Sequence, residues 1–215
     1  NGQLAHGDQA TQHLPKLVAA LQGTAVVSVS AGFNHSLAVT EGGELFSWGV
    51  GEHGRLGHGD EEDQHTPKVI EALRGVKVMA VSARFHSLVL SEEGTVFSFG
   101  LGDQGRLGHG DDEDQLTPKV IDALRALRVV AMSAGYEHSL VLTEAGVVLS
   151  FGNGDYGQLG HGDQDYERTL EVIEGLRGDR REERVLTVVA GGNHSLCVLQ
   201  DGRVLGWGWD QNDNE

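Results

Sequence analysis

Histidine stands directly before serine at four places in the 215-residue chain: His35-Ser36, His86-Ser87, His138-Ser139 and His194-Ser195. A hydroxyl beside an imidazole is the raw material of nucleophilic catalysis, and eleven histidines in all could supply metal ligands. Neither chemistry is expected of these residues. Neighbours along a strand face opposite ways, so a histidine and the serine after it cannot share a proton. The four histidines also recur at spacings of 51, 52 and 56 residues, one per copy of a repeated unit, which spreads them apart instead of gathering them around an ion. Structural hydrogen bonding is the expected role of His35, His86, His138 and His194, because a buried imidazole must satisfy its nitrogens. The same holds for His6, His58, His109 and His161.

Two other patterns carry chemical suggestions. Acidic runs follow three of the His-Gly-Asp triplets: Asp60-Glu61-Glu62-Asp63, Asp111-Asp112-Glu113-Asp114, and the sparser Asp163 and Asp165. They lack the alternating oxygen ligands and fixed glycine of a calcium loop, so a solvated or protein-docking acidic rim is expected and no metal. Gly49-Val50-Gly51-Glu52-His53-Gly54 has the glycine content of a phosphate loop, but no lysine or helix follows it. No catalytic group, cofactor or metal site is expected, and the chain is read as a non-enzyme.

The elements that position these residues follow from two ladders in step. GQLAHGD at Gly2, GRLGHGD at Gly54 and Gly105, and GQLGHGD at Gly157 are spaced by 52, 51 and 52 residues, a period that marks a repeat architecture. Between the markers the hydrophobic period is two, as in Val27-Ser28-Val29-Ser30, with β-branched and aromatic enrichment. The second unit predicts strands over Lys77 to Ser82, Ser87 to Leu90, Thr95 to Phe99 and Pro118 to Ile121, with one helical turn at Glu71 to Arg74. Glu41-Gly42-Gly43, Glu92-Glu93-Gly94, Ala145-Gly146 and Gln200-Asp201-Gly202 supply the hairpin turns. Pro15, Pro67 and Pro118 mark outer segments, where a missing ladder donor is tolerated.

A four-stranded meander of this size cannot bury both faces alone, so copies must pack face to face. The expected fold is therefore an all-β β-propeller of four-stranded antiparallel blades, in four repeats of about 52 residues. The repeats are read over approximately 1–53, 54–104, 105–156 and 157–215. Gly49, Gly100, Gly152 and Gly208, each after a Trp or Phe, are expected where backbones crowd at strand ends, their aromatic neighbours filling the space between blades.

A single cysteine, Cys197, leaves the fold without an internal disulfide and suits a reducing, cytoplasmic or nuclear setting. The net charge of −16 repels a phosphate backbone and favours a basic protein surface as partner over direct nucleic-acid contact. No apolar run is long enough to span a membrane, so the chain is expected to be soluble.

The segments AGFNHSLAV, SARFHSLVL, AGYEHSLVL and AGGNHSLCV, each followed by a glycine turn, a strand ending in Trp-Gly or Phe-Gly, and, in the first three repeats, a GxLGHGD loop, resemble the repeats of the regulator of chromosome condensation family. The resemblance covers the whole chain and implies a propeller, seven-bladed in that family against four repeats here. Three arrangements stay open: part of a longer propeller, a small closed ring, or a homo-oligomer that completes the ring. The family implies an interaction scaffold, guanine-nucleotide exchange on a Ran-like small GTPase, or a UV-B photoreceptor. The scaffold is expected, with recognition by Glu52, Arg55, Glu61, Glu62, Asp103, Arg106, Asp111, Asp112, Asp155, Tyr156 and Gln158. Exchange would need a projecting wedge, for which only the Gly178 to Arg184 insertion is a candidate. Light sensing is disfavoured, since Phe33-Asn34, Phe85, Tyr136-Glu137 and Gly192-Asn193 stand where the photoreceptor's tryptophan and arginine would be.

Overall fold

The structure, a computed structural model, describes residues 1–177 and 183–209, so most of the Gly178 to Arg184 insertion lies outside the described residues. It consists of antiparallel sheets joined by loops and short 3₁₀ turns. The chain divides into two compact units, one of Asn1–Leu101 with Asp114–Val120, the other of Gly102–Glu113 with the described residues from Ile121 onward.

The first unit holds two four-stranded meanders. One runs β1 (Val26–Ala31), β2 (His35–Thr40), β3 (Leu45–Gly49), β4 (Gln64–Val69); the other β5 (Val78–Ala83), β6 (His86–Ser91), β7 (Val96–Gly100), β8 (Gln115–Val120). The second unit holds β9 (Val129–Ala134), β10 (His138–Thr143), β11 (Val148–Gly152) and β12 (Glu167–Val172) in one sheet, and β13 (Val185–Ala190), β14 (His194–Leu199) and β15 (Val204–Gly208) in a three-stranded sheet. The helical turn read at Glu71 is a 3₁₀ turn over Glu71–Leu73. Pro67 and Pro118 lie in the outer strands β4 and β8. Pro15 does not follow them, because residues 9–18 form no strand.

One turn chemistry closes all four β2–β3-type hairpins. The glycine N–H returns to a carbonyl three residues earlier, Gly43 to Thr40 (2.9 Å), Gly94 to Ser91 (3.0 Å), Gly146 to Thr143 (2.9 Å) and Gly202 to Leu199 (3.0 Å). Each of these glycines has φ between 84° and 88°, open to glycine at little steric cost. Each outer strand comes after the next GxLGHGD loop, so a sheet takes its fourth strand from the following motif-phased repeat and is tied to it.

Packing follows the alternation. In the first unit, Leu37, Val39, Leu45, Ile70 and Leu73 meet Val78, Ala83, Val89 and Phe99 of the neighbouring sheet in one buried cluster. In the second, Leu140, Leu142, Val148 and Ile173 meet Val185, Val188, Cys197 and Leu199. Each Val, Leu, Ile or Phe among them contributes about 1.5–3 kcal/mol by leaving water. The serine before the alanine that ends the innermost strand bridges the sheets: Ser30 Oγ accepts the Ala83 N–H at 3.0 Å, and Ser133 Oγ accepts the Ala190 N–H at 2.9 Å.

The third strands end in Trp48-Gly49, Phe99-Gly100, Phe151-Gly152 and Trp207-Gly208, and these glycines have φ of 113°, 106°, 110° and 106°. At Gly49 a Cβ would also collide with the Asn34 carbonyl and the His35 Cα. Gly23 has a positive φ of 86° but open space around it. Gly23→Ala should therefore cost about 1–2 kcal/mol, the penalty for an L-residue in that conformation, whereas Gly49→Ala should cost more. Equilibrium urea denaturation of the two variants checks the order.

Candidate interaction surface

The repeat motifs converge first on a buried network. The carbonyl of the residue before Leu in each GxLx loop accepts the hydroxyl of an HSL serine: Gln3 from Ser36 (3.0 Å), Arg55 from Ser87 (3.0 Å), Arg106 from Ser139 (2.9 Å) and Gln158 from Ser195 (2.9 Å). The tryptophans use the same oxygens, Trp48 Nε1 donating to Gln3 at 2.8 Å and Trp207 Nε1 to Gln158 at 2.9 Å. Phe99 and Phe151, both fully buried, lie against Gly57 and Gly108 of the loops instead.

Histidine and serine do meet, but across repeats. His35 Nε2 lies 2.8 Å from Ser87 Oγ, and His138 Nε2 2.9 Å from Ser195 Oγ. Each serine spends its proton on a loop carbonyl, so the imidazole Nε2–H must be the donor. That is the reverse of a nucleophile–base pair, and the group is sealed from solvent. The expectation that both ring nitrogens are satisfied is not met: Nδ1 of His35 and of His138 has no hydrogen-bond partner. These atoms face Gly32 and Gly135, where even a Cβ would crowd the ring. His86 is likewise buried, whereas His194, in the last repeat, is exposed. His58 and His161 hydrogen-bond Ser47 (3.0 Å) and Ser150 (2.9 Å), whose hydroxyls donate to Leu56 and Leu159.

Burial holds His35, His58 and His138 neutral. His35 is pushed down to about 3, by desolvation and then by Arg55; His138 to about 4, by desolvation and then His194; His58 to about 4, by desolvation and then Lys68.

Three residues expected to recognise a partner are interior. Arg55 is 3%, Arg106 1% and Gln158 0% exposed, so none of them forms part of the loop surface. Their polar ends hold the loops in shape. Arg55 Nε donates to the Glu52 carbonyl at 2.8 Å, and Arg106 Nε and Nη1 donate to the Asp103 and Tyr136 carbonyls at 2.7 and 3.1 Å. Gln158 Nε2 donates to Asn153 Oδ1 at 2.6 Å, while its Oε1 accepts the Tyr156 N–H at 2.9 Å.

The other residues lie on loops with access to solvent. In the first unit, the Val50 N–H donates to the Asn34 carbonyl (2.9 Å) and the Gly51 N–H to Asp63 Oδ1 (2.9 Å). The β1–β2 connection, the glycine loop and the acidic run are thereby bound into one rim. Glu52, Glu61 and Glu62 are exposed on it. Glu61 accepts the His53 N–H at 2.9 Å, and Asp114 Oδ2 lies 2.7 Å from His53 Nδ1. His53, Glu61 and Asp114 bring ligand-type atoms within 4.8 Å of one another, a donor set suited to a divalent cation, though two of these groups already hydrogen-bond His53. His53 lies outside both sequence ladders and was not expected in such a group.

The same rim carries residues whose importance the sequence did not signal. Phe33 and Phe85 sit with ring centroids 4.8 Å apart at 35°, joined by the Phe33 N–H to Arg84 carbonyl bond of 2.9 Å, and Phe33 is 54% exposed. An aromatic precedes the His-Ser-Leu histidine in three of the four repeats, Phe33, Phe85 and Tyr136, but nothing in the sequence marks two of them as a pair. In the second unit, exposed Tyr156 stacks on exposed Trp209, centroids 5.1 Å apart. Asp103 and Asp155 are exposed and Asp111 half-buried, while Asp112 pairs with Arg168 at 2.7 Å, which lowers the Asp112 pKa and raises that of Arg168.

Four-step meanders whose histidine, serine and glycine contacts recur between sheets are the blades of a β-propeller. Residues 1–214 match the family model of the RCC1-like domain, and the chain belongs to that family. It is 40% identical over 211 residues to the human E3 ubiquitin-protein ligase HERC2, covering 97% of the chain and 4% of the ligase. It is 37% identical over 213 residues to the ultraviolet-B receptor UVR8 of Arabidopsis thaliana, covering 98% of the chain and 48% of the receptor. The structure of Prp20p from Saccharomyces cerevisiae superposes with a TM-score of 0.77 at 23% identity, over 99% of this chain and 52% of that one. The chain thus spans about half or less of the length of these relatives. Among the described residues no helix is long and apolar enough to cross a membrane.

The buried histidines give stability a pH dependence. The unfolded chain takes up protons near 6.5, while folded His35, His58 and His138 resist until about 3 to 4. Between those values the unfolded state binds more protons, so stability falls as pH drops. The urea midpoint should decline as the buffer is taken from above 6.5 towards 4, and His35→Asn should flatten the slope while lowering the midpoint throughout.

Proposed function

We propose that the chain is a non-enzymatic protein-interaction module that grips a basic, partly apolar partner surface. The observation that carries this reading is the solvent-facing Phe33–Phe85 pair set beside the carboxylates Glu52, Glu61 and Glu62. Aromatic residues are enriched at the centres of interfaces and polar ones at their rims, and a net charge of −16 steers basic partners towards them. Tyr156 with Trp209, beside Asp155, offers the same combination in the second unit. Nothing in the reading requires a reactive group.

Prp20p is known for its binding to Gsp1p and histones, which supplies two probes. Core histones test the basic-surface reading, and a Ran-type GTPase loaded with labelled nucleotide tests the alternative of nucleotide exchange. Histone binding that Phe33→Ala with Phe85→Ala weakens by about tenfold, equal to about 1.4 kcal/mol, and that added salt weakens further, is the expected outcome. Acceleration of nucleotide release would favour the exchange reading instead. Binding indifferent to both the aromatic pair and salt would overturn the proposed surface.

A further inference from the structure

We infer that His53, Glu61 and Asp114 form a binding site for a divalent cation of the Zn²⁺ class, held between the glycine loop and two acidic runs. The inference does not rest on the partner proposed above and is read out with the ion alone.

The backbone brings the three side chains together. Gly51 and Gly54 flank the Glu52-His53 pair. A Cβ on Gly51 would collide with the Glu62 carbonyl, and a Cβ on Gly54 with the Leu116 Cα. Residues without side chains therefore let the loop lie directly against both acidic runs, Asp60 to Asp63 and Asp111 to Asp114. The His53 N–H donates to Glu61 Oε1 at 2.9 Å, and Asp114 Oδ2 lies 2.7 Å from His53 Nδ1. The runs by themselves lack the pattern of a metal loop. His53, from outside them, adds the nitrogen that completes a donor set.

That set selects the ion. One imidazole nitrogen with two carboxylates suits Zn²⁺, whereas Ca²⁺ and Mg²⁺ take shells of oxygen. A carboxylate accepts and cannot donate, so Nδ1 carries the proton shared with Asp114 Oδ2. An entering cation takes that place, and the proton moves to Nε2. Glu52 Oε1, 3.8 Å from Nε2, is placed to receive it as the outer carboxylate that orients a metal-bound imidazole. Nδ1 and Oδ2 must part by roughly half an ångström to stand around an ion with bonds of about 2.0–2.2 Å. His53 is half-buried and Glu61 and Asp114 are exposed, so the side chains have that freedom and the ion has a way in.

The next loop shows what is different here. Gln104 stands where His53 does, and Asp112 where Glu61 does. Gln104 Oε1 accepts from Asn153 Nδ2 at 2.7 Å, and Asp112 pairs with Arg168 at 2.7 Å. Among the described residues no lysine or arginine pairs with Glu61. Glu52, Asp63 and Asp114 share the field of one buried guanidinium, Arg55. With Glu61 the rim thus holds four carboxylates against one cation, an excess that a divalent ion offsets.

The test titrates the metal-stripped 215-residue chain with Zn²⁺ in a calorimeter, with Mg²⁺ in excess to occupy diffuse acidic surface. One tight site per chain is expected, and Co²⁺ in its place should give the visible absorption of a four-coordinate centre. His53→Gln installs the residue that Gln104 already is, at nearly the same φ (60° and 59°), so the circular-dichroism spectrum should not change. Zn²⁺ affinity should fall at least about tenfold in this variant and in Glu61→Gln. Glu62→Gln, an exposed neighbour outside the three, should leave it unaltered. No binding in the presence of Mg²⁺, full affinity in His53→Gln, or equal losses in Glu61→Gln and Glu62→Gln would overturn the inference. Histone binding that fails while the Zn²⁺ site persists would sink only the earlier reading.

Discussion

A single carbonyl oxygen, that of Gln3, Arg55, Arg106 or Gln158, holds each GxLx loop to the sheet it covers. It receives a serine hydroxyl in all four cases and a tryptophan N–H in two. Because the serine proton goes to that oxygen, the histidine of the preceding repeat, where it reaches the same serine, must donate from Nε2, and burial keeps the ring neutral. In the His35–Ser87 and His138–Ser195 pairs one hydrogen-bond direction thus fixes the tautomer, the ring position and the need for a side-chain-free residue beside Nδ1. Leaving Nδ1 unpartnered costs something, but a buried imidazole with its second nitrogen against backbone has no room for water or a side chain.

This network also explains why an arginine and a glutamine can exchange at one loop position. What the fold requires of Arg55, Arg106 and Gln158 is the backbone carbonyl, and secondarily a side chain able to bond the loop's own backbone. Burial pushes the Arg55 pKa down, and the carboxylates of Glu52, Asp114 and Asp63 push it back. Such a buried cation is tolerable because it is surrounded by carbonyls and acids. A loop held by such internal bonds can present Glu52 and Glu61 with a smaller ordering cost on binding.

The sequence alone determined the repeat, the strand order within a blade and the hairpin glycines, because these depend on residues close along the chain and recur four times. Gly43, Gly94, Gly146 and Gly202 occupy the positive-φ turn position that local chemistry demands. Only the tertiary structure decided which polar residues face inward, since that depends on a neighbour 32 to 61 residues away: Ser87 on the Arg55 carbonyl, His35 on Ser87, His53 beside Asp114. A charged residue between glycines in a loop motif reads as surface from composition, and Arg55 and Arg106 are buried because their carbonyls are anchored beneath the next sheet. Phe33 and Phe85 show the converse. The two aromatics stand in corresponding segments of successive repeats, but their pairing leaves no trace in the sequence because it exists only once the two sheets are packed together.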